Sequence, residues 1–142
     1  MKKTIARTIT FVLIIVIFSS FVLTANAADV GIQASLYINS IDCSITPYSG
    51  GRISITASVT GTGVMDKIGV SKLTIQKYQA GSWVDEASWT DLYDYNTIIS
   101  AIEGSYYGIA GNKYRAVITF YAGRDGGYDT RIVTTSAVTA IS

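Results

Sequence analysis

Five carboxylates, Asp85, Glu86, Asp91, Asp94 and Glu103, crowd one stretch of this chain of 142 residues. Paired carboxylates can carry acid–base or glycoside chemistry when a cleft holds them at a fixed separation. No motif here fixes such a pair, and acidic loops are common on the rims of β-domains. The chain contains no histidine, so a serine or cysteine nucleophile would lack its usual base. Zinc sites built from cysteine and histidine sets are absent for the same reason. Gly50-Gly51 and Gly126-Gly127 are followed by no lysine-bearing helix and read as turns rather than phosphate cradles. Asp91, Asp94 and Asn96, or Asp125 and Asp129, have the oxygen chemistry that calcium prefers, but their spacing falls short of an EF-hand loop. Such residues more commonly form turns by bonding nearby backbone amides. The expectation is a protein that is not an enzyme and has no catalytic residue, cofactor or metal.

The second cluster of chemistry-bearing residues is aromatic: Trp83, Trp89, Tyr93, Tyr95, Tyr106 and Tyr107, interleaved with Ser88, Asn96, Ser100, Gly104, Ser105 and Gly108. Tyrosine offers a large contact area at low entropic cost while serine, glycine and asparagine adapt around it, as in recognition loops carried by β-sandwiches. These six aromatic residues are the candidate contact surface. The competing reading is that the rings are ordinary core and strand residues, with one of the two tryptophans filling the interior.

Behind these residues the dominant period is two, with β-branched residues and glycine-marked turns, which predicts an all-β domain. Leu36 to Ile45 is a first strand region. Arg52 to Thr60 puts Ile53, Ile55, Ala57 and Val59 on one face, and Gly61-Thr62-Gly63 is expected to end it. Val70 to Tyr78 is a further strand, and Ala80-Gly81-Ser82 turns it into a short one around Trp83. Alternation weakens from Asp85 to Gly104, where Ile98, Ile99, Ala101 and Ile102 are compatible with a helical turn. Lys113 to Ala122 is a clear strand, Arg124-Asp125-Gly126-Gly127 a hairpin turn, and Tyr128 to Val138 the returning strand. Arg52 to Thr60 and Lys113 to Ala122 are expected to lie at the heart of opposite sheets. Their inward side chains would be Ile53, Ile55, Val59, Tyr114, Ala116, Ile118 and Phe120. Cys43 alternates with Ile41 and Ile45 and is expected to be a buried, inert thiol.

Six to eight short antiparallel strands suit one β-sandwich of residues 28–142. Gln76-Lys77-Tyr78-Gln79-Ala80-Gly81-Ser82-Trp83 resembles the turn from strand C into C′ of immunoglobulin-like and fibronectin type III-like domains. Gly111-Asn112-Lys113-Tyr114-Arg115-Ala116-Val117 resembles the start of their strand F, where the resemblance implies that Tyr114 braces the corner by hydrogen bonding back to the chain. The paired cysteines of antibody domains are missing, and the tryptophan follows the turn instead of lying within strand C. Val59 to Gly69 and Tyr114 to Ala122 also resemble small secreted one-domain proteins of clostridia-like Gram-positive bacteria, a resemblance that brings no activity with it.

Residues 1–27 read as a signal peptide: Lys2, Lys3 and Arg7 precede an apolar run, and Ala25-Asn26-Ala27 fits the small-residue cleavage rule. Its removal leaves eight basic against ten acidic residues, which disfavours nucleic acid and anionic membranes as partners. Ser19 and Ser20 interrupt the apolar run, so no stable membrane insertion is expected after cleavage. The expected product is a secreted, non-enzymatic domain that acts by surface contact with a protein or an envelope glycan. The alternatives are a carbohydrate-binding module with exposed Trp or Tyr rings, and a structural matrix subunit that assembles through an open strand edge.

Overall fold

The structure, a computed structural model, describes residues 35–142; the expected signal peptide lies outside them. Six strands follow in order: β1 (Ile38–Pro47), β2 (Arg52–Gln79), β3 (Ser82–Tyr107), β4 (Lys113–Arg124), β5 (Gly127–Thr134) and β6 (Val138–Thr139). All pairings are antiparallel, and the sheet curls into a half-barrel. Among the described residues no helix is long and apolar enough to cross a membrane.

The curl originates in β2 and β3, strands of 28 and 26 residues that form one long hairpin. Gly61-Thr62-Gly63 does not end β2 as the composition predicts. Register shifts there, between Thr60 and Met65, four residues of β2 lying opposite the single residue Ile98 of β3. Such an excess on one strand bends the pair and increases its twist. A Cβ on Gly61 would stand 2.8 Å from both the Gly63 carbonyl oxygen and Met65 Cγ, so glycine permits the fold in the backbone. On β3 the bend falls beside Asn96, whose φ is 53°, a left-handed conformation that asparagine tolerates better than most residues. The helical turn expected at Ile98 to Ile102 is therefore strand: Ile99, Ala101 and Ile102 pair with Thr60, Ser58 and Ala57.

The bend divides β2 into two working halves. Its first half pairs with β1 on one side and with the end of β3 on the other. Its second half lies between the start of β3 and β4, and β4 continues to β5. The expected heart of two opposite sheets is thus the facing halves of one continuous curled sheet. All seven side chains expected inward are buried, and Ile53, Phe120 and Ile118 are fully so, in one cluster with Met65, Ile68, Val70, Leu73 and Ile75. Cys43 does share a face with Ile41 and Ile45 but is only half-buried at the margin of that cluster.

Two-residue turns close both long hairpins. Ala80 and Gly81 have φ of 50° and 84°, and Asp125 and Gly126 have 51° and 80°. Positive φ at both central positions is the primed turn geometry that matches the twist of the flanking strands. Tyr114 braces the corner before β4, where its buried hydroxyl accepts a 2.9 Å hydrogen bond from the Ile109 N–H. Its ring fills the space beside Gly108, where a Cβ would be 2.6 Å from the ring.

Candidate functional site: the β3 edge and its groove

β3 pairs with β2 along its whole length and has no second strand partner among the described residues. Both halves of the bent strand therefore present free edge, and between them the half-barrel opens into a groove of about 530 Å³. Cross-strand pairing explains which side chains face it. Leu73 of β2 stands opposite Trp89, Val70 opposite Leu92, Ala57 opposite Ile102, and Ile55 opposite Gly104. Directly opposed residues share a sheet face, so the inward face of β2 carries these β3 positions inward with it. The groove is apolar at Ile55, Leu73, Trp89, Leu92 and Ile102, with Glu103 and Ser105 on its rim.

Glu86, near the start of β3, and Tyr106, near its end, join Lys77 of β2 in a polar network. Lys77 Nζ lies 2.8 Å from Glu86 Oε1, and the Tyr106 hydroxyl donates to Glu86 Oε2 at 3.2 Å. The lysine hydrogen bond holds the Glu86 carboxyl below the usual carboxylate range, and the same bond raises Lys77 above the ordinary lysine value. Partial burial, then the neighbouring Glu86 charge, push the Tyr106 phenol up. The three groups thus stay as carboxylate, ammonium and neutral phenol at neutral pH, a bracing arrangement with no titrating base. At Cys43, burial and then the Asp42 charge raise the thiol, which keeps it protonated and weakly nucleophilic.

The six aromatic residues singled out in the sequence are distributed over five places. Trp83 sits beside the β2–β3 turn, 5.2 Å from the Tyr78 ring centroid and with the Arg115 guanidinium 4.3 Å above it. Trp89 lines the groove and is 39% exposed. Tyr93 and Tyr95 pair with Gly69 and Lys67 on the outward face, the first half-buried and the second 62% exposed. Tyr106 packs inward against Tyr114, whereas Tyr107 is 69% exposed opposite Arg52. The fold therefore does not gather them into one surface.

Two groups of residues escaped the sequence reading. One is the set of groove residues Ile55 and Leu73 on β2, together with Leu92 and Ile102, none of them read as part of a contact surface. The other is an outward cluster in which Tyr93 meets Tyr121 edge to face at 5.6 Å, Tyr121 stacks on Tyr128 at 5.4 Å, and Lys67 Nζ lies 3.8 Å over the Tyr93 ring. Tyr93 and Tyr121 flank Gly69, which pairs with both, so two rings cover the surface left bare by a residue without a side chain. A usable signal for this cluster was the outward alternation of Tyr121 against Phe120. Of the candidate calcium ligands, Asp129 accepts from the Ser35 hydroxyl at 2.6 Å and the Tyr37 N–H at 2.9 Å, while Asp91 and Asn96 have left-handed φ of 61° and 53°. Among the described residues no three acidic or cysteine side chains gather as a metal site.

No protein-family model matches the chain, and no curated protein matches it. Among solved structures, it is similar to Spo0M, a sporulation control protein from Bacillus subtilis, with 9% identity and a TM-score of 0.43 over 72% of this chain and 49% of that one. It is also similar to a protein from Archaeoglobus fulgidus, with 12% identity and a TM-score of 0.38 over 72% of this chain and 97% of that one. The chain thus matches about half the length of Spo0M.

Proposed function

We propose that the protein is a secreted, non-enzymatic β-domain that acts by surface contact with a protein or cell-envelope partner, the contact being made along β3. On this reading residues 1–27 are a cleaved signal peptide, and the curled sheet is a variant of the immunoglobulin-like sandwich. One observation carries it: a strand of 26 residues paired on a single side, with an apolar groove between its two halves. An exposed edge offers a row of backbone donors and acceptors, and a partner strand gains affinity from them while its alternate side chains enter the groove. The carbohydrate-binding alternative asks for rings in one plane, whereas Trp89 faces the groove and Tyr95 and Tyr107 face outward from different halves of the sheet. The open edge fits protein contact or assembly better.

Gly104 supplies the test. It lines the groove, and a Cβ there meets nothing within 4 Å. Gly104→Leu should therefore fill the groove without disturbing the core. Expected are an unchanged melting temperature and loss of retention on the producing cell's envelope fraction or secreted proteins, measured by pull-down with the purified domain. Equal retention by variant and wild type would overturn the groove as the contact site. Intact-mass measurement on the culture medium should give a chain starting at Ala28.

A further inference from the structure

The two arms of β3 offer unequal edges. Residues 99–107 pair in unbroken register with β2, and none of them has a left-handed backbone. The first arm is interrupted twice, by the register shift that skips Glu86 and by the left-handed Asp91. A partner strand therefore finds its regular edge on the second arm. Side chains there alternate between two faces: Ile102 and Gly104 stand opposite Ala57 and Ile55 on the groove side, and Glu103 stands opposite Thr56 on the outward side. A strand added beside this edge would turn its own residues to the same two faces in turn, because directly opposed residues share a face.

Two adjacent positions on this edge define what the added strand must bring. Gly104 has Ile55 across from it on one side, and a Cβ there would meet nothing within 4 Å, so the groove is open at that point. The same sheet shows how such a gap is filled: Gly69 is covered by Tyr93 and Tyr121, which pair with it from both sides. An aromatic residue of the partner opposite Gly104 would cover the edge glycine in the same way. Glu103 faces only Thr56, whose hydroxyl is hydrogen-bonded to Ser44. β3 carries five of the chain's ten acidic residues and neither lysine nor arginine. Glu86 is paired with Lys77 and Asp85 accepts from Gln76 at 2.8 Å, whereas Asp91, Asp94 and Glu103 form no ion pair among the described residues. Like charges facing across a strand pair are unfavourable, so this edge repels a second β3 and favours a cation. We propose that the partner of β3 is an extended cationic segment of another protein, paired with residues 99–107, with an aromatic residue opposite Gly104 and a lysine or arginine beside it opposite Glu103. This inference rests on the reading of β3 as a contact edge and adds the chemistry of its partner.

Capped nine-residue peptides test this against the protein expressed from its complete gene. One alternates valine with lysine and has phenylalanine in place of the central valine; a companion carries glutamate for every lysine. Fluorescence anisotropy should show the lysine peptide binding about tenfold more tightly than its companion. Glu103→Lys, at an exposed site, should weaken the lysine peptide about fivefold, and alanine in place of the phenylalanine should do so by a similar factor. Gly104→Leu should abolish binding. Equal binding of the two peptides, binding of neither, or an unchanged affinity in Glu103→Lys would overturn the proposal. Binding that survives Gly104→Leu would place the peptide elsewhere and overturn it too. If the peptides fail while Gly104→Leu still loses retention on the envelope fraction, the cationic segment falls and the β3 contact stands; unchanged retention would remove both. Protease treatment of that fraction should abolish retention, and retention that survives it would mean a glycan partner and overturn the proposal.

Discussion

β4 and β3 are strands of the same sheet with opposite fates. In β4, from Tyr114 to Ala122, every second residue is buried, and the strand is paired on both sides. In β3, paired on one side, only Ser100 is fully buried. Both are extended apart from the left-handed Asp91 and Asn96 of β3, and they differ in the number of their neighbours. A central strand must satisfy two partners and a core, which holds its side chains to a strict alternation. An edge strand answers to one partner, and its remaining positions are free to take acidic, aromatic and small residues suited to meeting something else.

The sharpest way to break this comparison is to delete the same kind of ring from both strands. Phe120 is fully buried, and Phe120→Ala should destabilise the domain by about 3–5 kcal/mol through lost burial and the cavity left behind. Tyr107→Ala, at a site 69% exposed, should change stability by no more than about 0.5 kcal/mol. Urea unfolding of the two variants checks it. Comparable losses would mean that β3 is as structural as β4 and would remove the basis for treating its edge as a contact surface.

That contrast also accounts for what could be read in the chain beforehand. Ile53, Ile55, Val59 and the alternating residues of β4 were legible because a strand buried on one face writes its environment into every second position. Tyr114 and the Asp125-Gly126 turn were legible because a corner and a primed turn each demand particular residues. The run from Asp85 to Gly104 was not, because a one-sided strand that lines a groove with Trp89, Leu92 and Ile102 and turns its other face to water has a weak period, and the left-handed Asp91 between Trp89 and Leu92 breaks even that. The groove itself could not be seen, since it depends on Ile55 and Leu73, two distant residues of β2 that meet only after Gly61 bends the strand.

A subtler comparison uses hydroxyls. Tyr114→Phe leaves the part-buried Ile109 N–H without its acceptor and should cost about 1 kcal/mol. Tyr106→Phe removes only a donor to a carboxylate that already has Lys77 as partner, so its cost should stay below about 1 kcal/mol. Thermal unfolding of the two variants gives the order. If Tyr106→Phe proves the more damaging, the Tyr106–Glu86 bond that joins the two ends of β3 anchors the strand as firmly as the corner is braced.

The smallest expected effect lies in the pH dependence of that anchor. Glu86 is held below the ordinary carboxylate range by the Lys77 hydrogen bond, so the folded protein binds its proton less readily than the unfolded chain does. Its contribution is complete above the unfolded glutamate value and is lost as pH falls through the lower folded one. Lys77 is shifted upward, so its contribution is complete below the unfolded lysine value and is lost as pH rises through the folded one. The difference in urea midpoint between wild type and Glu86→Gln should therefore be flat between about pH 6 and pH 9 and should shrink on acidification. A difference that persists unchanged in acid would mean that the carboxylate–lysine bond does not hold β3 to β2 near the start of the strand. Of the two contacts made by Glu86 and Tyr106, only the Tyr106 ring against Tyr114, at the far end of β3, would then remain as an anchor.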